Sequence, residues 1–300
     1  MPNGGFHTKM MRHGQQILPD VIQKRFRTLH FQNGDYINTR ADLEPGAIGV
    51  LREEISHVGA AAIIADSGSD IPIVDASGSE TSAKVLTLKS AYSYLIEELE
   101  RAEFAGFELT RQRAMGARRA LAELENQIAA YGSSAHGVSG LINNDLVPLE
   151  DSSFDFFDTG NTIDDILQFF LGQISEVESA SNLTEKIGDV LLPAEVYNKL
   201  VSLRVPGTSS TSLKFLESAL AEEGESVRFR KVSEIEAPKL EAHGVRGDST
   251  KHRVILYNRS EIDTHDRHTE PLRVLELEGP LSSRYTQPFA LRTTGVLVNH

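Results

Sequence analysis

The residues that come closest to chemistry are Asp263, His265, Asp266 and His268. Two imidazoles and two carboxylates within six residues form a donor set for a divalent cation, because His nitrogen and Asp oxygen both ligate ions such as Zn2+. On that reading His265, Asp266 and His268 would serve a metal-dependent hydrolase. Two neighbours argue against it. Arg267 sits inside the cluster and Pro271 follows it, so the stretch reads as a polar loop. His265 and His268 share a face only if the segment is helical.

Other chemical groupings are weaker. Asp155, Asp158, Asp164 and Asp165 surround a helix start, where carboxylates serve capping and the helix dipole. His136 lies beside Ser133 and Ser134, a nucleophile and base by type, but the Gly-rich context reads as a turn after a helix. The tripeptide Arg246, Gly247, Asp248 matches an adhesion pattern that short polar loops meet by chance. Asn182 to Thr184 and Asn258 to Ser260 match the glycosylation pattern, which has no meaning in an unsecreted chain. There is no Walker loop, no Gly-x-Gly-x-x-Gly between strand and helix, and no Gly-x-Ser-x-Gly elbow. We therefore expect no enzyme, no bound metal and no cofactor.

Composition narrows the class further. With no cysteine in 300 residues, disulfide frameworks, thiolate metal sites and cysteine nucleophiles are excluded. No run approaches the roughly 18 to 20 apolar residues of a membrane span, and the N-terminus lacks the apolar core of a signal peptide. A soluble, unsecreted chain that touches no membrane is expected. A net charge of −13 argues against a general nucleic-acid-binding surface. The charge is uneven: residues 1–30 carry +4 and the remaining 270 carry −17. A basic arm on an acidic body suits contact with nucleic acid or with the acidic face of another copy, and equally suits a solvated terminus.

The elements that would position any site are easier to see. Residues 1–35 read as an arm and 36–56 as irregular, broken at Pro45 and Gly46. Residues 57–90 read as a long hairpin, with a thin apolar run including Ile63 and Ile64, then Asp66, a small-residue tip, and Ile71, Ile73 and Val74. A hairpin so poor in large side chains cannot bury itself and needs another surface. Residues 91–105 fit a helix, with Tyr92, Leu95, Ile96, Leu99 and Ala102 on one face. A second helix, 111–131, spans about 32 Å at 1.5 Å per residue. Its apolar stripe is Ala114, Ala117, Leu121, Leu124, Ile128 and Tyr131, and Gly132 ends it. Arg111, Arg113, Arg118 and Arg119 occupy its first half, against the helix dipole, each at about 0.3–1 kcal/mol if terminal. That opposition suggests either an outside partner, such as a neighbour's carboxylates or a polyanion, or solvated arginines tolerated at small cost.

Thr162 with Asp165 makes a capping box ahead of a third helix, buried through Ile163, Ile166, Leu167, Phe170, Ile174 and Val177. Short strands near 190–192, 227–232, 253–257, 273–277 and 289–298 alternate with helices at 193–203 and 213–222. Hairpin, helices, mixed elements and closing strands in that order indicate an α+β fold, not a doubly wound sheet.

The order of these segments resembles the major capsid proteins of tailed bacteriophages. The resemblance is carried by residues 59–66, 71–75, 91–98, 111–131, 137–143, 191–197 and 287–298, in sequence. It implies a tailed-phage capsid fold with an N-terminal arm (1–56), an extended loop (57–90), and a peripheral domain (91–182) holding a spine helix at 111–131. An axial domain (183–264) and C-terminal strands (265–300) returning to the peripheral domain complete it. The loop residues Ile63, Ile64, Asp66, Ile71, Ile73 and Val74 would form a subunit interface. Arg111, Arg113, Arg118 and Arg119 would face the shell interior.

The implied function is structural: a protein that self-assembles, as hexamers and pentamers, into an icosahedral head shell around double-stranded DNA. Assembly would take place in the host bacterial cytoplasm. Implied partners are other copies of the chain, separate scaffolding, portal and decoration proteins, and packaged DNA by non-specific contact. Only about 35 to 55 residues precede the loop, so any scaffolding is expected from a separate protein. Lys84 and Lys89 lie where some members form isopeptide cross-links, but the motif is unmatched and no cross-linking is expected. The alternatives are a bacterial nanocompartment shell of the same fold and, from another class, the hydrolase built on His265, Asp266 and His268.

Overall fold

The computed structural model describes residues 26–58, 75–106, 108–158, 160–184, 186–207, 209–222, 227–258, 265–281 and 283–298. The chain opens with strands β1 (Asn38–Arg40), β2 (Gly49–Val58) and β3 (Asp75–Leu95), followed by helices α1 (Ile96–Phe104) and α2 (Leu109–Tyr131). Strands β4 (Gly132–Ser133) and β5 (Val138–Ser139) flank a short 3-10 turn. The middle of the chain contributes α3 (Ile163–Ala180), β6 (Asp189–Pro193), α4 (Ala194–Ser202), α5 (Ser212–Glu222), β7 (Arg228–Val232), α6 (Ala237–Ala242) and β8 (Ile255–Tyr257). Then come β9 (His265–Val274), β10 (Glu278–Leu281), β11 (Arg284–Thr294) and β12 (Leu297–Val298).

Two sheets organise these elements. The larger runs β1-β9-β11-β3-β2, with β10 on β11 and β12 on β9. Only β1 and β9 pair in parallel; the other pairs are antiparallel. The smaller sheet runs β7-β6-β8. Helix α2 lies on the larger sheet through Ala117, Leu121 and Ile128, which pack against Leu88, Phe289 and Leu291. Its last turn, Ala129 to Tyr131, enters a second cluster with Phe31, Tyr36, Ile37, Leu191 and Ile235. The helix thus joins the two sheets. It stops where Gly132 takes φ +75°, and a Cβ there would lie 2.3 Å from the Val138 carbonyl oxygen. Only glycine permits that turn.

A third cluster fills the lobe around the smaller sheet: Ile166, Phe170 and Ile174 of α3 meet Val190, Val196, Leu200, Leu216, Leu220 and Phe229. The capping box forms as expected, with the Asp165 N–H donating to Thr162 Oγ1 at 3.3 Å and the Thr162 N–H donating to the Asp165 carboxylate at 2.7 Å. The Thr162 hydroxyl, which donates to the Asp165 carboxylate at 2.7 Å, and the Thr162 N–H together hold that carboxyl below its usual range.

Four expectations change. The hairpin begins at Gly49, so the stretch expected as irregular, 36–56, contains β1 and most of β2. The run Arg52 to Glu54 carries no apolar alternation: Arg52 turns in toward the Asp266 carboxylate, while Glu53 is exposed. Residues 91–95 continue β3 instead of starting a helix. Their rungs with β11, Leu95 opposite Arg284 through Ala91 opposite Pro288, supply hydrogen bonds that a helix would have had to replace. Tyr94 then stacks on Tyr285 at 5.7 Å and Tyr92 on Phe289 at 5.9 Å. The stretch expected as a polar loop around Arg267 is a buried strand. Finally, Leu124 is 42% exposed while Glu125 and Asn126 are buried. The α2 stripe turns onto polar groups there, so a rule that puts charge outside picks the wrong residue.

Candidate assembly surface

Strands β2 and β3 pair without a slip from Gly49 opposite Lys84 to Val58 opposite Asp75. Beyond Lys84, β3 crosses onto β11, with Val85 opposite Thr294. The first half of the hairpin is therefore a two-stranded ribbon in which β2 has, among the described residues, β3 as its only partner strand. Leu51 and Ile55 are 58% and 69% exposed on it, and Ile48 at its root is 87% exposed. An isolated ribbon with bare aliphatic side chains is an unfinished surface: an edge strand and apolar groups both await a partner. The expected interface residues Ile63, Ile64, Asp66, Ile71, Ile73 and Val74 lie outside the described residues.

The four arginines of α2 mostly have partners inside the chain. Arg111 pairs with Glu108 at 3.0 Å, Arg113 with Glu98 at 3.0 Å, and Arg119 with Glu123 at 2.9 Å. Arg113 also donates to the Ser93 carbonyl at 2.6 Å, tying α2 to β3. The bond from Arg113 holds the Glu98 carboxyl below its usual range. Arg118, which is exposed, lies over the Phe289 ring at 5.5 Å. Intramolecular carboxylates therefore answer much of the charge opposed to the dipole.

Of the candidate metal cluster, Asp263 lies outside the described residues, and strand geometry separates the others. Successive residues of β9 point to opposite faces. Asp266 and His268 face one way and Arg267 the other. The Asp266 carboxylate is fully buried and accepts from Arg52 and, at 3.2 Å, lies against Arg40 Nε. His268 Nδ1 is 2.7 Å from Asp42, and its Nε2 is 3.6 Å from Asp266. Two guanidiniums occupy the oxygen a cation would need, and no group of three or more metal-ligating side chains occurs among the described residues.

Arg267 is fully buried and pairs with Glu125 of α2 at 2.9 Å. Burial pushes the Glu125 carboxyl up, partly offset by Arg267, and pushes the Arg267 guanidinium down. Nothing in the sequence marked these pairs, because their members lie up to 226 residues apart.

The minor candidates resolve locally. Ser133 Oγ and His136 Nδ1 do meet, at 2.8 Å, on an exposed turn. Their contact lacks an orienting carboxylate among the described hydrogen bonds, as a catalytic pair requires. Asp155 and Asp158 accept from the backbone N–H of Phe157 and Gly160 at 2.8 and 2.9 Å, as turn residues.

Comparison with known proteins agrees with the geometry. The model of the Major capsid protein family matches residues 59–300. Solved structures share the fold. The capsid of Myoviridae phage XM1 is 17% identical, with 96% of this chain and 94% of that one covered and a TM-score of 0.77. A chain of Microbacterium phage Oxtober96 is 11% identical over 95% and 89% of the two chains, with a TM-score of 0.58. The capsid of an empty GTA particle is 9% identical over 99% and 96%, with a TM-score of 0.53. No curated protein matches by sequence. A shell-forming α+β fold with a projecting two-stranded ribbon and, among the described residues, no catalytic constellation is thus the class defined here. The chain belongs to the Major capsid protein family: it is a structural protein, a subunit of a capsid shell, and not an enzyme.

Proposed function

We propose that the ribbon of β2 and β3 is the subunit's docking element, laid on a neighbouring copy as hexamers and pentamers close around double-stranded DNA. The observation that carries this is a fully paired ribbon whose Leu51 and Ile55 face solvent. Covering such groups contributes about 25 cal/mol per Å2 before the costs of association. Symmetry repeats each weak contact around the shell. In this reading Ile63, Ile64, Asp66, Ile71, Ile73 and Val74, which lie outside the described residues, contribute to the same subunit interface. The lobe around the smaller sheet is the axial domain; sharing a core with α3 supports starting it at about 163 instead of 183. The larger sheet with α2 is the peripheral domain, to which the C-terminal strands return.

Contact with packaged DNA falls mainly to Arg118, because Arg111, Arg113 and Arg119 have intramolecular carboxylates. Scaffolding, portal and decoration proteins are further partners in this reading, with assembly in the host cytoplasm. Electron microscopy of the purified chain tests the proposal. Closed shells are expected from the full chain, and soluble subunits that fail to close from a chain lacking residues 66–79. Normal shells from the deletion would refute ribbon docking.

A further inference from the structure

We propose that Asp266 and Arg52 are positioning residues that set the angle at which the ribbon leaves the body, and through it the curvature of the shell. The inference rests on the reading that the ribbon docks on a neighbour.

Three observations lead to it. First, the ribbon's attachment is narrow. Among the described residues β2 is joined to the sheet through β3, and the Val85 N–H bond to the Ile48 carbonyl at 3.0 Å lies where β3 passes onto β11. Second, apolar packing does not hold the root, since Ile48 and Leu51 are both exposed. Third, among the described contacts an ionic one crosses the gap. The Arg52 side chain, 17% exposed, donates from the ribbon to the fully buried Asp266 carboxylate on β9. Asp266 is itself fixed in the sheet between Asn38 of β1 and Leu297 of β12.

The surrounding charges make this contact decisive. Arg40 and Arg52 both turn toward Asp266. His268 stands between Asp266 and Asp42. The neighbouring Glu270 is occupied by Arg273 at 2.6 Å and Arg292 at 3.2 Å. With Arg52 removed, Asp266 keeps Arg40 and the body stays intact, but the ribbon loses its tie to β9. A buried tie of this kind escapes the salt screening that weakens surface pairs.

The lever is long. Ten residues of β2 at about 3.3 Å each extend roughly 30 Å, so a swing of about 10° at the root moves the far end by about 5 Å. A displacement of that size changes which part of a neighbour the ribbon meets.

The absence of cysteine allows a direct test on the full chain. Spin labels on His57→Cys, at the far end of β2, and Met115→Cys, on the exposed side of α2, report the ribbon angle in unassembled subunits. Electron microscopy of the unlabelled variants reports particle diameter. Arg52→Met is expected to broaden the label-to-label distance distribution at least twofold and to give particles of mixed diameter, while the body melts near the wild-type temperature. Arg52→Lys, which keeps the charge, should restore both. Arg230→Met, which breaks the remote pair with Asp189, should lower the melting temperature without widening the distribution. An unchanged distribution in Arg52→Met overturns the tie. A broadened distribution with uniform wild-type diameters overturns its link to curvature. The docking reading fails separately, and only if the chain lacking 66–79 closes normal shells.

Discussion

The buried pair between Arg267 and Glu125 gives the most exacting test of the energetics. Arg267 is 0% exposed, and its guanidinium reaches Glu125 at 2.9 Å, the Gln32 carbonyl at 3.1 Å and Thr39 Oγ1 at 3.3 Å. One side chain thereby joins β9, α2 and the segment leading to β1. Glu125→Leu would leave a buried cation facing two neutral oxygens, and Arg267→Met would leave a buried carboxylate. Breaking a buried pair in this way costs about 3–5 kcal/mol. At about 2 °C per kcal/mol for a large chain, the melting temperature falls by about 6–10 °C. The double variant removes both charges and is expected to lie near wild type, because two well-packed apolar groups avoid the desolvation that the ion pair incurs. Their coupling, the gap between the double variant and the sum of the singles, should then be about 6–10 kcal/mol, well above the usual range of about 0.5–3 kcal/mol.

The pH dependence carries a defined sign. Burial raises the Glu125 carboxyl above its unfolded value of 4.5, so the folded state favours its protonated form. Without Arg267 that preference grows. Arg267→Met should therefore be least stable above neutrality and recover as pH falls toward the ordinary carboxylate range. Denaturant melts of unassembled wild-type, single and double variants between pH 5 and pH 8 measure all of this. Single variants within 1 kcal/mol of wild type, or additive effects in the double, would sink the reasoning.

Two further outcomes are expected. Phe170 is fully buried, with Phe229 at 5.1 Å and Phe169 at 5.4 Å between ring centres, so Phe170→Ala should destabilise by about 3–5 kcal/mol in denaturant melts; a loss under 1 kcal/mol would show that the lobe collapses around the gap. The Tyr36 hydroxyl donates to the Lys231 carbonyl at 3.0 Å, and burial, aided by Glu234, raises its pKa from 10.0 to about 12. The folded state therefore favours the neutral phenol, a stabilisation fully present below pH 10 and lost as pH rises through about 12. Subtracting the tyrosinate titration of Tyr36→Phe from that of wild type should leave a band with a midpoint near 12; one near 10 would contradict the burial argument.

Much of the fold was legible because it followed local rules. The α2 stripe, its stop at Gly132, the Thr162 capping box and the strand before Pro193 each depend on residues within a few positions of one another. So did the long hairpin, recognisable from what it lacked: side chains large enough to bury it. The errors share one cause. Whether Ala91 to Leu95 joins a strand depends on β11, almost 200 positions later, and whether Asp266 ligates a metal or braces a ribbon depends on Arg40 and Arg52. Charged groups that look solvent-facing in sequence were buried because distant countercharges met them.

The amino-acid sequence alone determined the class: no thiol chemistry, an acidic body, an α+β order of elements and an arm in need of a partner. Local periodicity and composition are enough for that, since each is written in near neighbours. Tertiary structure alone decided where the charges went. Pairing between residues up to 226 positions apart turned a would-be metal cluster into ionic ties, because a buried carboxylate takes its role from whatever cation the fold brings to it.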